Sequence, residues 1–228
     1  MKTIKLFILI LLVSLLSGCL ENHKKPIINI KNGKVGMIGY GSLISKQSME
    51  STLLRKYQDS VYLVHLEGFQ REWNFVWSNY DTSYSEDDLK YDGFYIREKD
   101  TIPFEKIIFL NIMAQKESSM NCVLYFIAPE ELIGFDKREL GYERIDVTNL
   151  IKEYNFQGGK VYAYKATPNY IYDSDSDYKN SIIEKSYINL VTEACDSIGS
   201  YYRQEYEAST KPFDPDLLAD KIIWKKIR

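Results

Sequence analysis

The apolar residues 35–38 run straight into Gly39-Tyr40-Gly41-Ser42-Leu43, and this junction constrains the chain more than any other stretch. A short apolar run predicts a buried strand, and two glycines spaced by one residue end it abruptly. Glycine lets the backbone turn back on itself and lets N–H groups converge without side chains in the way. The expected product is an anion or oxyanion pocket at a strand end. With Gly36 the glycine order is G-x-x-G-x-G, which is not the dinucleotide fingerprint, and no suitably spaced acid completes a βαβ unit. A plain tight turn is the competing reading, so the function of the bend depends on what else reaches it.

The start of the chain is expected to lie outside the fold. Lys2 and Lys5 precede an apolar run from Leu6 to Leu16, followed by Ser17-Gly18-Cys19. This is the layout of a secretory signal, too short for a comfortable membrane span of about 20 residues. Cys19 after Ser-Gly resembles the lipobox of bacterial lipoproteins. That resemblance implies a signal peptide over residues 1–18, cleavage before Cys19 and a lipid on its sulfur. The protein is then held on a membrane of the bacterial cell envelope, outside the cytoplasm, without spanning it. Residues 19–34 are polar, contain Pro26 and read as a tether, leaving residues 35–228 as one domain.

Charge narrows the function classes. Without Lys2 and Lys5 the chain carries 27 basic and 32 acidic side chains, a net −5 with no basic stripe, which argues against a nucleic-acid partner. Tyrosine is abundant (19 residues), suiting strands and pocket walls more than a helical bundle. Cys122 and Cys195 have no CxxC or CxxH neighbour, so no metal is expected; an exported protein could join the two, but both read first as buried thiols.

Further along, residues 44–57 carry a loosely helical pattern. Residues 61–66 read as a strand, followed by a row in which Phe69, Arg71, Trp73, Phe75 and Trp77 alternate onto one side as core or pocket wall. A buried Arg71 requires a partner. Residues 81–92 read as an acidic solvated loop. Residues 107–113 and 122–127 read as two strands joined by a polar connection. Pro129 opens a short helical turn that carries Glu139 near its end. Strands are expected near 142–147 and 160–166. Residues 182–206 read as one long helix, with Ser181 and Glu184 as a capping box. Its apolar stripe takes in Ile183, Tyr187, Leu190, Val191, Ala194, Ile198, Tyr201 and Tyr202. Asp173, Asp175, Asp177 and Glu184 mimic a calcium loop, but Tyr178 stands where that loop needs glycine, so a solvated helix entrance is expected.

Five motifs in order now carry a resemblance. Tyr40-Gly41-Ser42-Leu43, Gly68-Phe69-Gln70-Arg71 with Trp73-Asn74, the segment 123–139 ending in Asp136-Lys137-Arg138-Glu139, Gly141-Tyr142, and Val161-Tyr162-Ala163-Tyr164 resemble motifs of the gamma-glutamylcyclotransferase-like superfamily, in its ChaC-like/AIG2-like branch. The resemblance covers about residues 35–205. It implies an α+β fold, a small mixed β-barrel flanked by helices with a long C-terminal helix, and a reaction without cofactor or metal. In that reaction a γ-glutamyl group cyclises to 5-oxoproline and releases the amine it was bonded to. It further implies Glu139 as the catalytic acid/base, with Tyr40, Gly41, Ser42, Leu43 and Tyr142 around a small γ-glutamyl substrate. A catalytically silent lipoprotein that keeps the same pocket for binding is the alternative.

Overall fold

The computed structural model describes residues 24–31, 33–78, 91–172 and 181–226. The first strands are β1 (Ile27–Asn29) and β2 (Val35–Gly39), followed by helix α1 (Lys46–Leu53). Next come β3 (Tyr62–Ser78), β4 (Tyr91–Arg97), β5 (Asp100–Phe104) and β6 (Lys106–Ile127), then helix α2 (Leu132–Arg138). After β7 (Tyr142–Asp146), β8 (Asn155–Gln157), β9 (Val161–Ala166) and β10 (Ser181–Glu184) stand helices α3 (Lys185–Ile198) and α4 (Ser200–Ala208). Strands β11 (Leu218–Ala219) and β12 (Lys221–Lys226) follow.

The fold is α+β, and β6 is its spine. Along one edge it pairs antiparallel with β3 for nearly its whole length. Along the other it takes β10 at Lys106 and Ile107, and β2 from Val123 to Ile127. The sheet continues from β2 through β9 to β7. Between the two partners on that second edge, near Leu110, other groups must meet the strand, and this is where the site forms. The expected pair of strands with a polar connection is a single 22-residue strand; only the pairing with β3 skips residues 115–118, opposite Gly68 at φ +80°. The core packs against both faces of the sheet and includes Met37, Ile38, Leu66, Ile112, Leu124 and Phe135, each no more than 1% exposed.

The implied barrel does not close among the described residues. The hydrogen-bonded path stays open, and β3 meets the far side only through isolated bridges, Leu66 to Ile151 and Phe75 to Ile171. Side-chain packing bridges the gap where ladder pairing would have closed a barrel.

Three further expectations are corrected. Residues 181–184 are strand, not a capping box: Ile182 pairs with Ile107, and Ile183 with Leu218. A β-branched pair with partners on both sides satisfies its backbone in the sheet, and α3 starts at Lys185 with no side-chain cap. The long helix also breaks at Gly199 (φ +147°), so Tyr202 and Tyr206 are buried while Tyr201 stands 72% exposed. The tether reading ends early as well. β1 pairs in parallel with β8 and Ile30 is buried, so the chain joins the fold by Ile27.

Residues 1–18, Cys19, most of 81–92, and Asp173, Asp175 and Asp177 lie outside the described residues. Cys122 and Cys195 are buried free thiols, and burial pushes them up to about 12 and about 11.

Candidate active site

Glu139 closes α2, its N–H bonded to the Phe135 carbonyl at 2.8 Å, and its side chain is 17% exposed. It opens into a cavity of about 410 Å³ shared with Ser42, Arg138, Tyr142 and Tyr187. A recess of about 30 Å³ continues inward from the same four residues Ser42, Glu139, Tyr142 and Tyr187, walled by Tyr40, Gly41 and Leu43. The glycine bend and the late acid therefore face one hollow.

Close approach explains the glycines. A Cβ on Gly39 would lie 2.7 Å from the Leu43 carbonyl carbon, because residues 42–44 curl into a 3₁₀ turn directly over it. A Cβ on Gly41 would lie 2.9 Å from the Tyr187 hydroxyl. α3 thus presses a polar atom against the bend.

Arg138 ties the parts together. Its Nε lies 3.1 Å from Glu139 Oε1. One terminal nitrogen donates to the Ser48 carbonyl and Thr52 hydroxyl of α1 (3.0 and 2.7 Å), the other to the Ser42 and Ser48 hydroxyls (both 2.9 Å). The guanidinium fork suits such convergent acceptors, so loop, helix and acid share one anchor.

Burial holds the Glu139 carboxyl above its ordinary range, and Arg138 opposes that rise only in part. A carboxylate of raised basicity beside an anchored cation can accept a proton and return it. Burial likewise pushes the Tyr40 and Tyr142 hydroxyls well above the ordinary phenol value.

All five residues expected around the substrate meet at this hollow, though not in equal roles. Ser42 and Tyr142 line the main cavity. Tyr40 and Leu43 are almost fully buried, 7% and 6% exposed, and wall only the recess. The Tyr40 hydroxyl is spent on the Tyr164 carbonyl (2.7 Å) and that of Tyr142 on the Leu110 carbonyl (2.8 Å). Both tyrosines thus offer rings, and Tyr142 also meets the edge of β6 that no strand covers. Arg138 and Tyr187 were missed as site residues. Arg138 reads as an ordinary basic residue in a last helical turn, and Tyr187 as one more member of an apolar helix stripe.

Behind the bend, the fully buried Arg71 finds its partners among neutral groups. It donates to the Tyr40 carbonyl (2.8 Å), the Ser209 hydroxyl (2.7 Å) and both the backbone and side-chain oxygens of Asn121, and lies over the Tyr206 ring at 4.8 Å. Among the described residues no group of three or more His, Cys, Asp or Glu side chains is placed to hold a metal ion.

No family model matches the sequence, and no curated protein matches it. Solved structures do. A gamma-glutamyl cyclotransferase is similar over 79% of this chain and 90% of its own, with TM-score 0.48 and 14% identity. An uncharacterized protein from Homo sapiens is similar over 80% and 91%, with TM-score 0.47 and 14% identity. YkqA from Bacillus subtilis is similar over 78% of this chain and 54% of its own, with TM-score 0.48 and 11% identity.

Proposed function

We propose that the chain cyclises a γ-glutamyl group to 5-oxoproline, with Glu139 moving the proton. The observation that carries this reading is the shared cavity of Glu139 and Ser42, with Arg138 joining the two. The α-amine of the glutamyl group attacks its own γ-carbonyl, forming the lactam C–N bond, and the bond to the outgoing amine breaks. The nucleophile is part of the substrate, so the protein's task is to fold the glutamyl chain and handle charge. Glu139 takes the proton that the attacking nitrogen sheds and gives it to the leaving nitrogen. The Ser42 hydroxyl, which accepts from Arg138, turns its own proton to the substrate's α-carboxylate while the Arg138 charge attracts that carboxylate from behind, and the bend supplies backbone N–H donors to the oxygen that gains charge during attack.

The test is 5-oxoproline release from a panel of γ-glutamyl amides and peptides, wild type beside Glu139→Gln. The reading expects release by the wild type and a loss of about 10²- to 10⁴-fold in the variant. Tight binding of the panel without release favours the silent lipoprotein.

The same proposal includes a lipid on Cys19 that holds the domain on the cell envelope. Cys19→Ala is expected to move the protein from the membrane fraction to the soluble one.

A further inference from the structure

The main cavity has two chemically different ends. Ser42, Arg138 and Glu139 make one end polar, whereas Phe75, Trp77, Phe109, Leu140 and Leu190 make the other apolar. The two tyrosines between them add little polarity to the free space. Tyr142 has spent its hydroxyl on Leu110, and the Tyr187 hydroxyl is set against the bend at Gly41. A glutamyl group alone would fill only the polar end of a hollow this size.

The apolar end is also preformed. Phe75 stacks on Tyr142 at 4.0 Å and lies parallel to Tyr170 at 5.7 Å. Trp77 lies on the same Tyr170 at 5.5 Å, with planes 16° apart. Phe109 sets its edge against Tyr187 at 5.0 Å. Rings that brace one another lose little freedom when a ligand arrives, so apolar contact here is not spent on ordering the wall. Among the described residues, Arg138 and Glu139 are the only charged side chains around the cavity, and both sit at the polar end.

Resting on the reading above, we propose that this site prefers γ-glutamyl amides of amines that carry an aromatic ring on a short alkyl arm, the ring seated against Trp77, Phe109 and Leu190. Flat rings gain from offset or edge contacts with such a wall beyond the area they bury. Leu190, 39% exposed, marks the rim where the ring would meet solvent.

The experiment compares γ-glutamyl-2-phenylethylamide with γ-glutamylethylamide, which share the scissile bond and differ by a phenyl group. Two readouts are taken: kcat/KM for 5-oxoproline release by the wild type, and Kd by calorimetry on Glu139→Gln. Seating the ring is expected to favour the phenyl compound by roughly 10- to 100-fold in both. Leu190→Glu is expected to cut that ratio several-fold by placing a charge at the rim. Equal kcat/KM for the two amides overturns the aromatic preference while leaving cyclisation standing. If neither releases 5-oxoproline, a tenfold tighter Kd for the phenyl compound upholds the aromatic subsite and removes the reaction. Indistinguishable binding in that case overturns the subsite too.

Discussion

The Nε of Arg71 donates to the carbonyl oxygen of Tyr40 at 2.8 Å, with the guanidinium fully buried. In a trans peptide the carbonyl and the following N–H point in opposite directions. Fixing the Tyr40 oxygen toward Arg71 therefore turns the Gly41 N–H to the other side of the bend. The hollow shared by Glu139 and the bend is thus supported from behind by a cation that does not line it.

Arg71→Met is expected to destabilise the fold by about 3 kcal/mol or more, since the Tyr40 carbonyl, Asn121 and Ser209 lose their donor together. Arg71→Lys keeps the charge but not the fork, and is expected to fall between the two. Urea unfolding of the three proteins checks the order.

The two glycine environments predict opposite signs. Gly39→Ala sets a Cβ 2.7 Å from backbone that cannot swing away, and is expected to cost about 1–3 kcal/mol. Gly134, inside α2, has nothing closer than 3.5 Å to such a Cβ, so Gly134→Ala is expected to add about 0.5–1 kcal/mol. Thermal unfolding of both variants separates them.

Much of this arrangement was readable beforehand where the signal was local. Residues 35–39 form a strand because an apolar run needs only burial, and the glycines after it announce the close approach of Leu43 and Tyr187 without naming either. Alternation puts Phe69, Arg71 and Trp73 on one face as expected, but the register shift between Trp73 and Phe75 sends Phe75 and Trp77 to the other, because Leu110 and Phe109, the partners of Trp73 and Phe75, are neighbours on β6. Arg71 was legible by the cost of an unpartnered guanidinium. What failed depended on distant partners. Ile182 and Ile183 fit a helical stripe, but Ile107 and Leu218 claim them for the sheet. The skip at 115–118 mimics a turn because polar residues there leave the ladder without ending the strand. Arg138 acquires its importance only when α1 and the bend fold beneath it.

The raised Glu139 carboxyl also has a consequence for stability. A group whose folded value lies above its unfolded one stabilises the fold fully below the unfolded value, and loses that contribution as pH rises through the folded value. At neutral pH the ionised side chain is thus a burden. Glu139→Gln is expected to unfold at an equal or higher temperature than wild type at pH 7, with the difference shrinking below about pH 4. Differential scanning calorimetry across that range checks the sign.

Arg138→Met removes the one charge that holds Glu139 down and also releases Ser42 from α1. KM is expected to rise by roughly 10- to 100-fold, the worth of losing the charge beside the substrate's carboxylate together with the hold on Ser42. Steady-state kinetics with a γ-glutamyl amide checks it, with Arg138→Lys expected to recover part of the loss.

The pH dependence of kcat/KM for 5-oxoproline release tests the central claim most directly, because it reports the base itself. The account predicts activity that rises with pH through one ionisation above the ordinary carboxylate range. That ionisation should move higher in Arg138→Met and vanish with the activity in Glu139→Gln. Release by Glu139→Gln at wild-type rates along the same profile would contradict it.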